Sequence, residues 1–209
     1  MINFLKRVVT AIILGTLFFG SYFYYPKMFA LILILILVFV LIFEWPKLVS
    51  VKTLKFWIIT PFYPILPVFC LLYLWHNYYN VNYLIPLYPF FVSWIFDTGS
   101  YLAGKTFGKH KVCPSISPGK SWEGVFGGFL ALVAFNKYFL PNLVWWKILL
   151  ISAALSFVAF LGDIFISFWK RKSDLKDIGG LLPGHGGLLD RFDSVFFVVV
   201  PYTFYILMI

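Results

Sequence analysis

The chain has 209 residues, of which 62% are hydrophobic, 22% aromatic and only 12% charged. An ordinary soluble domain carries about 25% charged residues. The few charged side chains here cannot cover a water-facing surface, which excludes a soluble single-core enzyme and a disordered chain. At about 20 apolar residues per crossing, the length allows roughly six to eight membrane helices. We therefore expect an all-α, polytopic integral membrane protein.

Apolar runs interrupted by charge predict about seven transmembrane helices. In chain order the runs cover residues 8–25, 28–45, 56–75, 83–96, 122–140, 143–162 and 195–209. Prolines within the third and fourth runs predict kinked or partly unwound helices. We divide the chain into an N-terminal region, 1–82, with about three transmembrane helices, and a second region, 83–209, that carries the polar motifs.

The basic residues indicate the orientation of these crossings. With the N-terminus in the cytoplasm, fourteen of the seventeen Lys and Arg residues lie inside, and only Lys27, Lys137 and Lys147 lie outside. The net charge of +9 is therefore explained by topology and by contact with anionic headgroups, and we expect no nucleic-acid partner.

Seven of the eight acidic residues lie between positions 97 and 193, with Glu44 as the exception. Under the predicted topology Asp97 and Asp163 end the fourth and sixth helices at the cytoplasmic face. Asp190 and Asp193 begin the seventh at the same face. Each carboxylate alone could pair with a nearby base as a topological anchor. As a group they favour a hard divalent cation such as Mg²⁺, whereas the dispersed histidines disfavour zinc.

The first cytoplasmic loop, from residue 97 to residue 128, combines recurrent glycines with lysines. Such a segment lets backbone N–H groups approach an anion while ammonium groups neutralise it, which predicts a phosphate-binding loop. Gly119-Lys120-Ser121 imitates the end of a Walker A motif, but Pro114 occupies the position of its leading glycine. A flexible basic loop against anionic lipids would explain the lysines but not the regular glycines or Glu123.

The second loop, residues 167–193, holds the densest polar motif. Its polar positions are Ser167, Lys170-Arg171, Lys176-Asp177, the run Pro-Gly-His-Gly-Gly at 183–187, and Asp190-Arg191-x-Asp193. On one helical face we expect Asp163, Ser167 and Lys170, which are spaced i, i+4, i+7. The loop closely resembles the signature of phosphatidate cytidylyltransferases, the CDP-diacylglycerol synthases. Residues 97–128 resemble the same family, so the resemblance covers roughly residues 90–200, with departures at Ser100 and Trp169.

The resemblance implies transfer of the cytidylyl group of CTP to phosphatidate, giving CDP-diacylglycerol and pyrophosphate for phospholipid biosynthesis. It implies a catalytic transmembrane region at 83–209 and catalytic roles for Asp163, Asp190, Lys170 and His185. It implies Mg²⁺, with room for a second cation, on Asp163 and Asp190, with Asp97 and Asp193 as further candidates. The expected substrate-binding residues are Ser167, Arg171, Lys176, Asp177, Arg191, Lys120, Ser117, Glu123 and Tyr101.

The implied setting is the bilayer of a bacterial-type inner or plasma membrane, with the active site facing the cytoplasm and a homodimer allowed. Two alternatives stay open. Relatives that use CTP on an isoprenoid lipid share much of the motif pattern. A cation-coupled transporter would also place carboxylates in membrane helices, but no second set of acids lies on the far side. For Ser117 and Ser167, helix or turn capping is the competing role.

Overall fold

A computed structural model describes the backbone of residues 2–175, 177–179 and 186–208, with the side chains from residue 12 onward in those ranges. The chain forms two compact units. Unit 1 comprises Met1–Asn82 and Trp169–Phe192, and unit 2 comprises Tyr83–Phe168 and Asp193–Ile209.

The described chain is helical apart from connecting segments and one hairpin. In unit 1 the helices are α1 (Ile2–Tyr24), α2 (Pro26–Phe39), α3 (Trp45–Leu48), α4 (Leu54–Ile59) and α5 (Leu66–Tyr78), with π-helical turns at Val40–Glu44 and Pro61–Ile65. The other helices are α6 (Leu84–Phe107), α7 (Trp122–Phe139), α8 (Trp145–Lys172) and α9 (Leu189–Leu207). The strands β1 (Lys111–Cys113) and β2 (Ser117–Ser121) pair antiparallel between α6 and α7.

Three helical stretches of the described chain are long and apolar enough to cross a membrane. They are Pro26–Leu48, Leu54–Tyr78 and Trp145–Lys172, and the apolar stretch Ile12–Tyr24 is shorter. The predicted helical class is thus confirmed, and the described chain contains helices that could span a membrane. The count of seven crossings stays a prediction.

Two of the predicted helix ends are wrong. Helix α6 continues past Asp97 to Phe107, and α8 continues past Asp163 to Lys172. The glycines after Asp97 lie within the continuous helix α6. Because they lack a side chain, they allow α7 to approach α6 closely. A Cβ on Gly99 would lie 2.8 Å from Cβ of Ala131. Residues 97–107 are therefore helix rather than loop.

Unit 1 is held together by aromatic and polar contacts between its helices. Tyr22 is fully buried and meets Phe29 and Tyr79 edge to face, with ring centroids 4.8 and 5.2 Å apart. Beside the first π-helical turn, the buried Trp45 donates from Nε1 to Oγ1 of Thr60 at 2.7 Å. The aromatic contacts join the end of α1 to the start of α2 and the end of α5, and the Trp45–Thr60 bond fixes the end of the Pro26–Leu48 stretch against the Leu54–Tyr78 stretch.

The core of unit 2 draws on α6, α7, α8 and α9. Its buried members are Tyr88, Val92, Phe96, Leu132, Leu155, Ala159 and Val198. One polar chain crosses this core, in which Tyr88 Oη donates to Asn136 Oδ1 at 2.8 Å and Asn136 Nδ2 donates to Ser152 Oγ at 2.9 Å. Because the buried amide is satisfied, it can join three helices without leaving an unpaired polar group.

Candidate active site

Unit 2 contains a cavity of about 470 Å³, which is in the range of small-molecule sites. It lies among α6, the β-hairpin, α7 and α8. Its lining residues include Asp97, Ser100, Tyr101, Gly104, Lys105, Lys111, Ser117, Gly119, Lys120, Ser121, Gly124 and Asp163. The helical extension of α6 and the hairpin thus bring the first glycine-rich segment to the polar face of α8.

Three lysines line this cavity, and one of them is already paired. The ammonium of Lys120 forms an ion pair with the carboxylate of Asp163, and the two side chains are 19% and 29% exposed. Lys120 Nζ also lies 5.0 Å from the ring centroid of Phe160. With Lys105 and Lys111 on the same wall, the cavity presents positive charge suited to an anion with several phosphates.

Three aspartates of unit 2 lie close to serine hydroxyl groups. Ser194 Oγ lies 3.4 Å from Asp97 Oδ2 and 3.5 Å from Asp193 Oδ1, and its N–H donates to Asp193 Oδ1 at 2.8 Å. On α8, Ser167 Oγ lies 3.5 Å from Asp163 Oδ1, as their i, i+4 spacing predicts.

The donor chemistry of this cavity fits a magnesium ion better than zinc. Asp97 and Asp163 line it together with hydroxyl groups, and the described lining residues include neither histidine nor cysteine. Among the described residues, no cluster of three or more His, Cys, Asp or Glu side chains is present. Mg²⁺ takes one or two carboxylates and completes its shell with phosphate oxygens and water, so the two aspartates of the lining suit it.

Glu123, which the sequence predicted as a substrate-binding residue, does not line the cavity. It binds the residues that immediately precede the hairpin. Its carboxylate lies 2.6 Å from His110 Nδ1 and accepts the backbone N–H groups of Lys109 and His110 at 3.2 Å. At the start of α7, Ser121 Oγ caps the helix by accepting the N–H of Gly124 at 3.2 Å. The first turn of α7 therefore fixes the hairpin that carries Lys111 and Lys120.

In unit 1 the second polar motif is organised around Asp190. Lys170 Nζ donates to Asp190 Oδ1 at 2.9 Å. The other oxygen, Oδ2, accepts the N–H groups of Ile178 and Gly187 at 3.2 and 3.1 Å. Asp190 thus joins the last turn of α8 to both described arms of the loop between α8 and α9.

Glu44 belongs to the same region, although in the sequence it lies apart from the other seven acidic residues. It is 1% exposed, and its two carboxylate oxygens accept the N–H groups of Leu188 and Leu189 at 2.8 and 2.7 Å. The only signal for it in the sequence is a single acidic residue in a long apolar run. Its partner lies 144 residues away, which no local pattern reveals.

The remaining predicted residues are placed as follows. Tyr101 and Ser117 line the cavity of unit 2. Arg171 is exposed and donates to the carbonyl oxygen of Leu175 at 3.4 Å, while Asp177 and Arg191 are exposed in unit 1. The predictions for Lys176 and His185 lie outside the described residues.

Comparison with known proteins gives consistent matches. The sequence model of the cytidylyltransferase family matches residues 51–209. A phosphatidate cytidylyltransferase of Rickettsia bellii is 34% identical over 216 residues, covering 98% of this chain and 90% of the relative. Enzymes of the same name from Staphylococcus haemolyticus and Staphylococcus aureus are 47% and 48% identical, and these matches cover 54% of this chain. They span 45% of the length of the staphylococcal proteins.

Proposed function

Because the chain belongs to the cytidylyltransferase family, we propose that it transfers the cytidylyl group of CTP to phosphatidate. The products are CDP-diacylglycerol, a precursor in phospholipid biosynthesis, and pyrophosphate. The observation that supports this most directly is the cavity of unit 2, where three lysines and two aspartates meet. A nucleoside triphosphate carries the charge that such a wall neutralises.

The reaction requires the protein to position the substrates and neutralise their negative charge, and it needs no covalent intermediate. A phosphate oxygen of the lipid attacks the α-phosphorus of CTP in line, and pyrophosphate leaves. Lys105, Lys111 and Lys120 neutralise the triphosphate. Gly119 in the cavity wall, where a Cβ would meet nothing within 4 Å, leaves room for phosphate oxygens close to the backbone.

Magnesium is the cofactor we propose, held by Asp97 and Asp163 on the wall of the cavity. When bound, Mg²⁺ neutralises charge that develops on the phosphate oxygens. Asp163 is paired with the ammonium of Lys120, so a metal ion at this carboxylate would share it with that lysine or displace it. Asp190 and Asp193 each stay proposed as further metal ligands, and room for a second cation stays part of the proposal.

The motif of unit 1 has a proposed role in the same reaction. Lys170 and Arg171 are the proposed contacts for phosphate groups of the nucleotide or the lipid. Asp190 holds Lys170 in place, and Ser167 and Asp177 contribute polar groups nearby in sequence. Lys176, His185 and Arg191 keep the substrate or proton-transfer roles that the resemblance implies.

We also propose the setting of the enzyme. The chain lies in a bacterial-type inner or plasma membrane with about seven crossings and with its polar cavity toward the cytoplasm. The distribution of Lys and Arg supports this orientation, because fourteen of the seventeen basic residues then lie inside. A homodimer is allowed. Family membership leaves the transporter alternative without support.

A direct assay tests the reaction. The purified protein in detergent receives CTP and Mg²⁺ with phosphatidate in one arm and a polyprenyl phosphate in the other. We expect pyrophosphate release and a CDP-lipid with phosphatidate. Product only with the polyprenyl phosphate would assign the chain to the isoprenoid-using relatives. A folded preparation that is inactive with both lipids would overturn the proposed reaction.

A further inference from the structure

Glu44 carries a buried carboxylate, which is unusual within an apolar stretch and indicates a specific role. It closes the π-helical turn Val40–Glu44 within the apolar stretch Pro26–Leu48, and it is 1% exposed. Burying a carboxylate is costly unless its oxygens are hydrogen-bonded. Glu44 meets that condition with two short bonds from backbone N–H groups, at 2.8 Å from Leu188 and 2.7 Å from Leu189.

These donors are at the start of α9, whose first residue is Leu189. The first N–H groups of a helix have no partner inside the helix, and the helix dipole places partial positive charge there. Glu44 therefore caps α9 from a distant part of the chain. A carboxylate is the side chain that satisfies two such donors at once.

The glycines of the loop fit around the same carboxylate. A Cβ on Gly187 would lie 2.6 Å from Glu44 Oε1, and its three nearest atoms would all belong to Glu44. A Cβ on Gly179 would lie 2.9 Å from the same oxygen. Both arms of the loop thus approach Glu44 so closely that a side chain at either glycine would displace its carboxylate.

The other anchor of the loop is Asp190, which binds the N–H groups of Ile178 and Gly187. Lys47 supports the same arm by donating to the carbonyl oxygen of Ile178 at 3.4 Å. The residues between Gly187 and Asp190 are therefore held from two sides. Glu44 holds the N–H groups that immediately precede Asp190 in the chain, so it fixes where that carboxylate can lie.

We propose that Glu44 is a positioning residue for cytidylyl transfer, which holds the return arm 187–189 of the loop so that Asp190 and Lys170 meet in the reactive arrangement. The inference rests on the proposed function. It adds a residue outside the matched family region, 51–209, and outside the signature motifs. Glu44 acts through the loop and not by touching substrate.

Three variants test this role in the full-length protein. Glu44→Gln keeps one acceptor oxygen, Glu44→Ala removes both, and Tyr79→Phe serves as the matched control. The control deletes another hydrogen bond of unit 1, from Tyr79 Oη to the carbonyl oxygen of Tyr22 at 3.0 Å. We expect kcat to fall about 10-fold for Gln and about 100-fold for Ala, because small displacements of reacting groups cost this much. The control should keep the wild-type kcat.

Amide hydrogen exchange supplies a readout that does not depend on catalysis. In Glu44→Gln the peptide covering 186–192 should exchange faster than in the wild type, while the hairpin peptide covering 111–121 should not change. Unchanged exchange at 186–192 would overturn the proposal. So would a wild-type kcat in both Glu44 variants.

A double-mutant cycle then tests the contact itself. Gly187→Ala places a methyl group against Glu44 Oε1, so alone it should reduce kcat at least about 10-fold. In the Glu44→Ala background the obstacle is gone, and the same change should cost less than about twofold. Independent, multiplicative effects would overturn the role of Glu44. An inactive, folded wild type would instead overturn the proposed function, and the exchange comparison would still decide whether Glu44 holds the loop.

Discussion

Lys170 Nζ lies 2.9 Å from Asp190 Oδ1, with the two side chains only 16% and 7% exposed. The second oxygen of Asp190 is bound by two backbone N–H groups, so both oxygens of this carboxylate have partners. The pair joins the end of α8 to the beginning of α9 within unit 1. Removing one partner would leave the other charged and largely buried.

The Lys170→Met variant should therefore lose both stability and activity. Breaking a buried ion pair from one side typically costs about 3–5 kcal/mol. The double variant Lys170→Met/Asp190→Asn should regain much of the stability, because no unpaired charge remains, but should stay inactive. Thermal unfolding in detergent and the kcat of the folded fraction measure the two effects. Recovery of activity in the double variant would contradict a role in the reaction.

Asp163→Asn should abolish turnover without unfolding the protein. The pair between Asp163 and Lys120 is partly exposed, so its loss should change the unfolding free energy by no more than about 1 kcal/mol. Turnover should fall by at least about 1000-fold if this carboxylate holds the proposed metal. The CDP-lipid assay with matched protein amounts measures the loss. Retained activity in both Asp163→Asn and Asp190→Asn would refute the metal assignment.

The contact between the side chains of Glu123 and His110 predicts an effect on CTP binding. Either Glu123→Gln or His110→Ala should loosen the hairpin that carries Lys111 and Lys120, raising the KM for CTP about 3–10-fold with little change in kcat. Both variants disrupt the same side-chain contact between Glu123 and His110. The KM of the double variant should therefore be no higher than that of either single variant. Steady-state kinetics with varied CTP test this. Multiplicative effects would show that the two residues act separately.

Helix packing in unit 2 predicts a strong position dependence for glycine substitutions. A Cβ on Gly127 would overlap Cβ of Ala103, whereas a Cβ on Gly15 would meet nothing within 4 Å. Gly127→Ala should lower the unfolding free energy by about 1–3 kcal/mol through overpacking. Gly15→Ala should be neutral or stabilise α1 by about 0.5–1 kcal/mol. Unfolding measurements of the two variants in the same detergent compare them; equal effects would argue against the close contact of α6 with α7.

Removal of divalent cations should abolish the activity reversibly. The cavity offers carboxylate and hydroxyl oxygens, so Mg²⁺ should restore turnover after treatment with a chelator. Zn²⁺ should not restore it, because the residues that the structure places in the lining include no histidine or cysteine, the ligands that zinc prefers. Pyrophosphate release during titration with each metal measures this. Full activity in excess chelator would rule out the magnesium proposal.

The sequence by itself indicated a membrane protein, a helical fold and the family. A composition with 12% charge and long apolar runs is compatible only with helices in a membrane, and that depends on residue type rather than on contacts. The i, i+4 spacing of Asp163 and Ser167 placed them together, since helical periodicity is local. The family signature, a set of polar residues at fixed spacing, could likewise be recognised from the sequence without the three-dimensional structure.

The tertiary structure decided which groups meet. Periodicity put Lys170 on the face of Asp163, but its partner is Asp190, 20 residues farther along the chain. Glycine patterns predicted a phosphate loop, yet Gly99 and Gly127 serve helix contact, since a missing side chain suits both uses. Glu44 finds its donors 144 residues away. A sequence pattern specifies which face a side chain occupies, whereas its partner depends on how distant segments pack.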